Sequence, residues 1–90
     1  MTSIVIYHSV LGLRPVDLDT AERFRSRGFE VALPDLYGGK CTESLEEGFQ
    51  IMAEIGWSVI CRRAMEAIEK LSASTILVGF SMGTGVIASL

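Results

Sequence analysis

The sequence is poor in histidine, in cysteine and in clustered positive charge. It has one histidine, two cysteines and two prolines in 90 residues, and its formal net charge is −3. Because lysine and arginine form no cluster, neither nucleic acid nor an anionic membrane is expected as a partner. The longest unbroken apolar run covers residues 4–7, far short of the ~20 residues that a membrane-spanning helix needs.

Signals for export and for metal binding are missing as well. Residues 1–3 carry no basic segment of a secretory signal, so a cytoplasmic location is expected. Cys41 and Cys61 are not spaced as metal ligands, and both are expected to be free thiols. We therefore expect no metal and no cofactor. The hydrophobic share of 49% excludes a disordered chain.

Segments typical of strands alternate with segments typical of helices. Gly28, Pro34 and Gly56 separate neighbouring segments, since glycine ends helices and proline interrupts strands. In the first helix, Leu18, Ala21 and Phe24 are expected to face the core. The predicted strands are residues 4–7, 29–33 and 75–78, and the predicted helices are residues 15–27, 43–55, 57–71 and the segment after residue 83.

Strand–helix–strand connections of this length predict an α/β fold with a parallel sheet of three strands and crossover helices. Three strands leave two unpaired edges, and a chain of this size buries only about 60–65% of its surface on folding, which leaves little margin of stability. Residues 1–90 are therefore interpreted as the N-terminal portion of a single domain whose C-terminal portion is absent. Self-association, or a partner chain that covers the open sheet edge, is the alternative.

The most informative motif is a glycine–serine turn after the third predicted strand. Gly79, Ser81 and Gly83 match the G-x-S-x-G pattern, in which a serine lies on a tight turn between a strand and a helix. Both glycines lack a Cβ atom that would collide when the helix packs back on the strand. The pattern predicts a nucleophile elbow. The alternatives are an ordinary glycine-rich turn with serine as helix N-cap, and a phosphate loop, which lacks its Gly-Lys-Ser/Thr ending here.

Three stretches of the sequence resemble the dienelactone hydrolase family of α/β-hydrolases. They are the strand and loop at residues 4–12, the Pro-Asp-Leu-Tyr exit of the second strand within residues 27–37, and the turn at residues 78–83. The resemblance covers nearly the whole chain but only the N-terminal half of the family's fold. It implies an α/β-hydrolase fold and a hydrolase activity without a cofactor.

The resemblance also implies roles for individual residues. Ser81 would be the nucleophile, and the backbone N–H groups of Val10 and Met82 would form the oxyanion hole. Founding members of the family have cysteine in place of Ser81 and glutamate in place of Ser9, and residues 38–44 hold no counterpart of their substrate-binding arginine. A serine hydrolase that acts on a small ester or thioester is therefore expected. The residues expected to line the rim are His8, Ser9 and Tyr37.

Residues 82–90 contain no Asp, Glu or His, although the family places the acid and the histidine of its triad after the nucleophile. The acid and base are thus missing from this chain. The alternative is a catalytically inactive, truncated scaffold that a partner chain completes. Two roles are open for His8: it is the general base, or its side chain hydrogen-bonds to the backbone of the loop after the first strand. Asp35 is expected to close a turn, and Arg62 and Arg63 to be solvated helix charges.

Overall fold

Residues 2–90, which the computed structural model describes, form a three-stranded sheet and four helices. All the predicted elements are present, and their ends shift by a few residues. The first helix, for example, ends at Arg25, because the chain then turns at Gly28, whose φ is 93° and whose N–H bonds to the Arg25 carbonyl at 3.0 Å. The elements in chain order are β1 (Ser3–Tyr7), α1 (Pro15–Arg25), β2 (Glu30–Ala32), α2 (Leu45–Ile55), α3 (Trp57–Ile68), β3 (Ile76–Gly79) and α4 (Met82–Ser89).

The sheet is parallel and has the strand order β2-β1-β3, which confirms the predicted α/β fold class. In register, Ile4 lies opposite Val31 of β2 and Ile76 of β3. The first strand of the chain is therefore the central one. It is hydrogen-bonded on both sides, while β2 and β3 each have one neighbour among the described residues.

Side chains of β1 alternate between two cores, one on each face of the sheet. Val5 and Tyr7 pack with α3 and α4 through residues such as Ile60 and Val86. Ile4 and Ile6 point to the other face, where α1 contributes Ala21. This alternation is the two-residue period of a strand with helices on both sides.

The prediction that Leu18 faces the core is wrong. Leu18 is 51% exposed, whereas Asp17, the residue before it, is buried. The Asp17 carboxylate accepts a hydrogen bond of 2.8 Å from the N–H of Arg14 at the start of α1. This bond places position 17 inward together with Ala21, and the helical turn of about 100° per residue then directs Leu18 outward.

The helices of residues 2–90 are all too short, or not apolar enough, to cross a membrane. The two cysteines are free thiols, as predicted, with Cys41 exposed and Cys61 partly buried.

Candidate active site

The turn between β3 and α4 holds Ser81 in a strained backbone conformation. Its φ is 54°, which makes it the one non-glycine residue with positive φ among residues 2–90. Two hydrogen bonds close the turn, from the N–H of Gly83 to the Phe80 carbonyl at 2.9 Å and from that of Thr84 to the Ser81 carbonyl at 3.0 Å. Such conformations persist where the surrounding structure enforces them, and they concentrate at functional sites.

Ser81 is exposed, and its side chain makes no capping hydrogen bond to α4. The ordinary role of a serine at the start of a helix is to accept a hydrogen bond from a backbone N–H two or three residues later. At this turn those N–H groups bond to backbone carbonyls instead. The hydroxyl of Ser81 therefore does not cap α4, contrary to the N-cap alternative.

The two glycines of the motif are required by close backbone contacts. A Cβ atom on Gly79 would lie 2.5 Å from the carbonyl carbon of Gly83, and one on Gly83 would overlap the Tyr7 carbonyl oxygen and lie 3.1 Å from that of His8. Contacts under 3.0 Å with backbone atoms cannot be relieved by a side-chain rotation. A Cβ atom at either position would therefore collide with backbone atoms, as the sequence predicts, and its absence lets α4 pack against the ends of β3 and β1.

Val10 and Met82 lie on either side of a buried tyrosine hydroxyl. The Tyr37 hydroxyl donates a hydrogen bond of 2.8 Å to the Val10 carbonyl and lies 3.3 Å from the sulfur of Met82. Neither the N–H of Val10 nor that of Met82 has a hydrogen-bond acceptor within residues 2–90. Burial raises the pKa of Tyr37 to about 12. The hydroxyl is thus protonated at neutral pH and can act as a donor.

His8 is fully buried rather than placed on an open rim. Its Nε2 atom accepts a hydrogen bond of 3.0 Å from the N–H of Leu36, so its Nδ1 atom carries the proton and donates to the Ser9 carbonyl at 2.8 Å. Burial lowers the pKa of His8, against smaller raising effects of the Ser9 carbonyl and of Asp35 and Asp17. The ring is therefore neutral, with both nitrogens occupied.

Tyr37, which was also expected at the rim, is 2% exposed and contacts the His8 ring edge-on with centroids 5.0 Å apart. The loop from Asp35 to Gly39 turns Tyr37 inward. Its fold is set by the Asp35 carboxylate, which accepts hydrogen bonds from the N–H groups of Tyr37 at 3.0 Å and of Gly39 at 2.8 Å. Asp35 thus closes a turn, as predicted.

Ser9 lies at the expected edge, partly buried, and its hydroxyl accepts a hydrogen bond of 3.2 Å from the N–H of Leu11. It lines a cleft beside the Ser81 turn. Arg14 enters this cleft with one guanidinium nitrogen 3.1 Å from the Glu43 carboxylate, while its buried Nε has no partner among the described residues. The cleft has a volume of about 200 Å³ and is lined by Ser9, Arg14, Val16, Asp17, Thr20 and Phe80.

Two contacts near the site were not predicted from the sequence. Arg63 donates a hydrogen bond of 2.8 Å to the Leu36 carbonyl, so it holds the loop after β2 rather than being a solvated charge. Gly48 of α2 packs against the Val10 carbonyl, and a Cβ atom there would lie 2.7 Å from its oxygen. A glycine inside a helix is a detectable signal of such a contact, because glycine is unfavourable there by about 1 kcal/mol.

Residues 2–90 contain no cluster of three or more His, Cys, Asp or Glu side chains that could hold a metal ion. The parallel sheet, its crossover helices and the tight strand–turn–helix at Ser81 place the protein in the α/β class.

The family model of the dienelactone hydrolase family matches residues 1–90, the whole of the chain. The chain therefore belongs to the dienelactone hydrolase family and is a hydrolase of that type, with part of an α/β-hydrolase fold. Searches of curated proteins and of solved structures gave no match.

Proposed function

We propose that the protein is a serine hydrolase that cleaves a small ester or thioester through an acyl-enzyme on Ser81. The observation that carries this proposal is the geometry of Ser81, which is exposed, uncapped and held at φ 54° at the end of β3. An ordinary turn gains nothing from this strain. A nucleophile elbow does, because the strained turn presents the hydroxyl to a substrate above the sheet.

In the proposed reaction, the Ser81 Oγ attacks the carbonyl carbon of the substrate, and a general base takes the hydroxyl proton. The carbonyl oxygen becomes an oxyanion, which the N–H groups of Val10 and Met82 bind. When the bond to the leaving group breaks, the protonated base gives its proton to the departing oxygen or sulfur. Water then hydrolyses the acyl group on Ser81 by the same steps.

The base and the acid of this mechanism come from outside these 90 residues. His8 is unsuitable because Leu36 occupies its Nε2 atom and its Nδ1 proton is donated to the Ser9 carbonyl. Residues 82–90 hold no Asp, Glu or His. A serine hydroxyl without an adjacent base is a weak nucleophile. Residues 1–90 thus supply the nucleophile and the oxyanion hole of a domain that further residues or a partner chain complete, pairing at the open sheet edge.

We propose the cytoplasm as the location of the reaction. Its support is chemical, because Cys41 and Cys61 are both free thiols and one of them is exposed. Exposed thiols are typical of compartments kept reduced.

Labelling of the complete, natively purified gene product with a fluorophosphonate probe tests the proposal. We expect modification of Ser81 and an esterase activity that falls on the order of 10⁴-fold in Ser81→Ala. Ser89→Ala is the matched control, since Ser89 lies on the same helix and its hydroxyl bonds to the Val86 carbonyl. A folded protein whose Ser81 stays unlabelled would refute the proposal and favour an inactive scaffold.

A further inference from the structure

The two peptide groups that flank Val10 are each held by a buried side chain. The first peptide joins the Ser9 carbonyl to the Val10 N–H, and its carbonyl oxygen accepts a hydrogen bond of 2.8 Å from the Nδ1–H of His8. Because a peptide group is planar, a fixed Ser9 carbonyl also fixes the direction of the Val10 N–H.

The second peptide joins the Val10 carbonyl to Leu11 and is held from two sides. The Tyr37 hydroxyl donates to the Val10 carbonyl at 2.8 Å, and the backbone of Gly48 packs against the same oxygen so closely that a Cβ atom would lie 2.7 Å away. The same hydroxyl lies 3.3 Å from Met82, the residue that follows Ser81. One buried group thus contacts both segments that carry the proposed oxyanion donors.

His8 and Tyr37 form one unit. Their rings meet edge-on at 5.0 Å, and the N–H of Leu36, the neighbour of Tyr37, bonds to the Nε2 atom of His8. This last bond selects the tautomer that can donate to the Ser9 carbonyl.

We propose that His8 and Tyr37 are positioning residues that together hold the Val10 N–H and Met82 in the geometry of an oxyanion hole. This inference rests on the proposed function of Ser81. Neither side chain touches the substrate. Each acts through a backbone carbonyl, and so the pair sets the rate of the chemical step rather than the affinity for the ground state.

The first test compares Tyr37→Phe with Tyr7→Phe in the complete gene product. Both hydroxyls are buried, and each donates to a backbone carbonyl at 2.8 Å, but that of Tyr7 bonds to Ala64 of α3, away from Val10 and Met82. We expect similar falls in Tm, with a fall in kcat of at least about tenfold and a KM within about twofold for Tyr37→Phe alone. Equal kcat for the two variants would overturn the inference.

The second test separates the two nitrogens of His8. In His8→Asn the amide NH₂ takes the place of the Nδ1 donor, whereas in His8→Gln the amide oxygen can replace the Nε2 acceptor but leaves the Ser9 carbonyl without a donor. We expect His8→Asn to retain most of the kcat and His8→Gln to lose at least about tenfold. The opposite order, or equal losses in both, would contradict a role that acts through Ser9.

A measurement without substrate separates this inference from the proposed function. We expect the ¹⁵N order parameter of the Val10 amide to be about 0.85 in the wild type and in Tyr7→Phe, and clearly lower in Tyr37→Phe. An unchanged order parameter in Tyr37→Phe overturns the positioning role whatever the activity. A lowered order parameter in a protein whose Ser81 does not react would show that Tyr37 orders the Val10 amide, but it would refute the proposed hydrolase and the oxyanion-hole role that rests on it.

Discussion

The central strand and the outer strands of the sheet differ sharply in burial. Residues 4–7 of β1 are all buried, whereas β2 and β3 contain no buried residue. The strand β1 has hydrogen-bonding neighbours on both sides and a helical layer on each face, and it also leads directly into His8 and Val10 of the site. Stability and the placement of the site thus depend on the same strand.

Isoleucine occurs in both the central strand and an outer strand, so the same substitution can be compared in the two. Ile6 is fully buried in β1, and Ile76 of β3 is 47% exposed. We expect Ile6→Ala to lower the free energy of unfolding by about 2–5 kcal/mol, since it leaves a cavity between packed layers, and Ile76→Ala to lower it by less than about 1 kcal/mol. Urea denaturation measures both, and equal losses would mean that the edge strand is as important as the centre.

The end of β3 differs from the rest of that strand, because its last residue, Gly79, is packed against the start of α4. Gly79→Ala brings a Cβ atom within 2.6 Å of the backbone of Gly83 and Thr84, and we expect it to cost about 1–3 kcal/mol of stability. Gly85 is the matched control, because a Cβ there would meet only the Trp57 ring at 3.6 Å. Gly85→Ala should be neutral or stabilising by up to about 1 kcal/mol. A tolerated Gly79→Ala in thermal unfolding would show that the turn is not tightly packed.

A smaller effect measures the strain at Ser81. Because its φ is 54°, we expect Ser81→Gly to be more stable than Ser81→Ala by about 1 kcal/mol. At Ser89, the last residue of α4, the order should reverse, since alanine favours a helix over glycine, although by less than the roughly 1 kcal/mol of a helix interior. Unfolding curves of the four variants check the reversal. The same order at both positions would argue against backbone strain at Ser81.

The smallest effect is the pH dependence that His8 confers. Since burial lowers its pKa below the ordinary 6.5, the unfolded chain takes up the proton first on acidification. The free energy of unfolding should therefore fall as the pH drops below about 6.5, until the folded protein also titrates. Parallel urea titrations of the wild type and His8→Gln isolate this slope. A slope that the substitution leaves unchanged would assign the acid sensitivity to other groups.

Local sequence patterns are sufficient to predict the strands, the helices and the turn at Ser81. Gly28 and Gly56 both adopt φ of 93° where the helices before them end, and the collisions at Gly79 and Gly83 follow from the spacing of the motif. These features depend on residues close together in the chain, so the pattern of residues is informative by itself.

The inward positions of His8 and Tyr37 could not be predicted in the same way. Tyr37 is buried because the Asp35 carboxylate turns its loop inward and because the Val10 carbonyl, 27 positions earlier, accepts a hydrogen bond from its hydroxyl. Arg63 bonds to Leu36 across a similar separation. Such contacts depend on how segments far apart in the chain pack together, and the hydrophobic periodicity of a single segment does not predict them. The prediction that Leu18 faces the core is wrong for a related reason, since Asp17 takes the inward position and its carboxylate caps the start of α1.

The limited burial of α2 affects how fast its backbone amides exchange with deuterium. The helix fully buries one residue, Gly48, and it is fastened at its two ends by the Ser44 side chain and by Gly56. The other α2 residues that pack against the core, Ile51, Met52 and Ile55, are only partly buried, so we expect the local free energy of opening of α2 to be lower than that of β1. Its amides should exchange with deuterium well before those of the central strand, and the Val10 carbonyl would lose one of its two supports each time the helix opens.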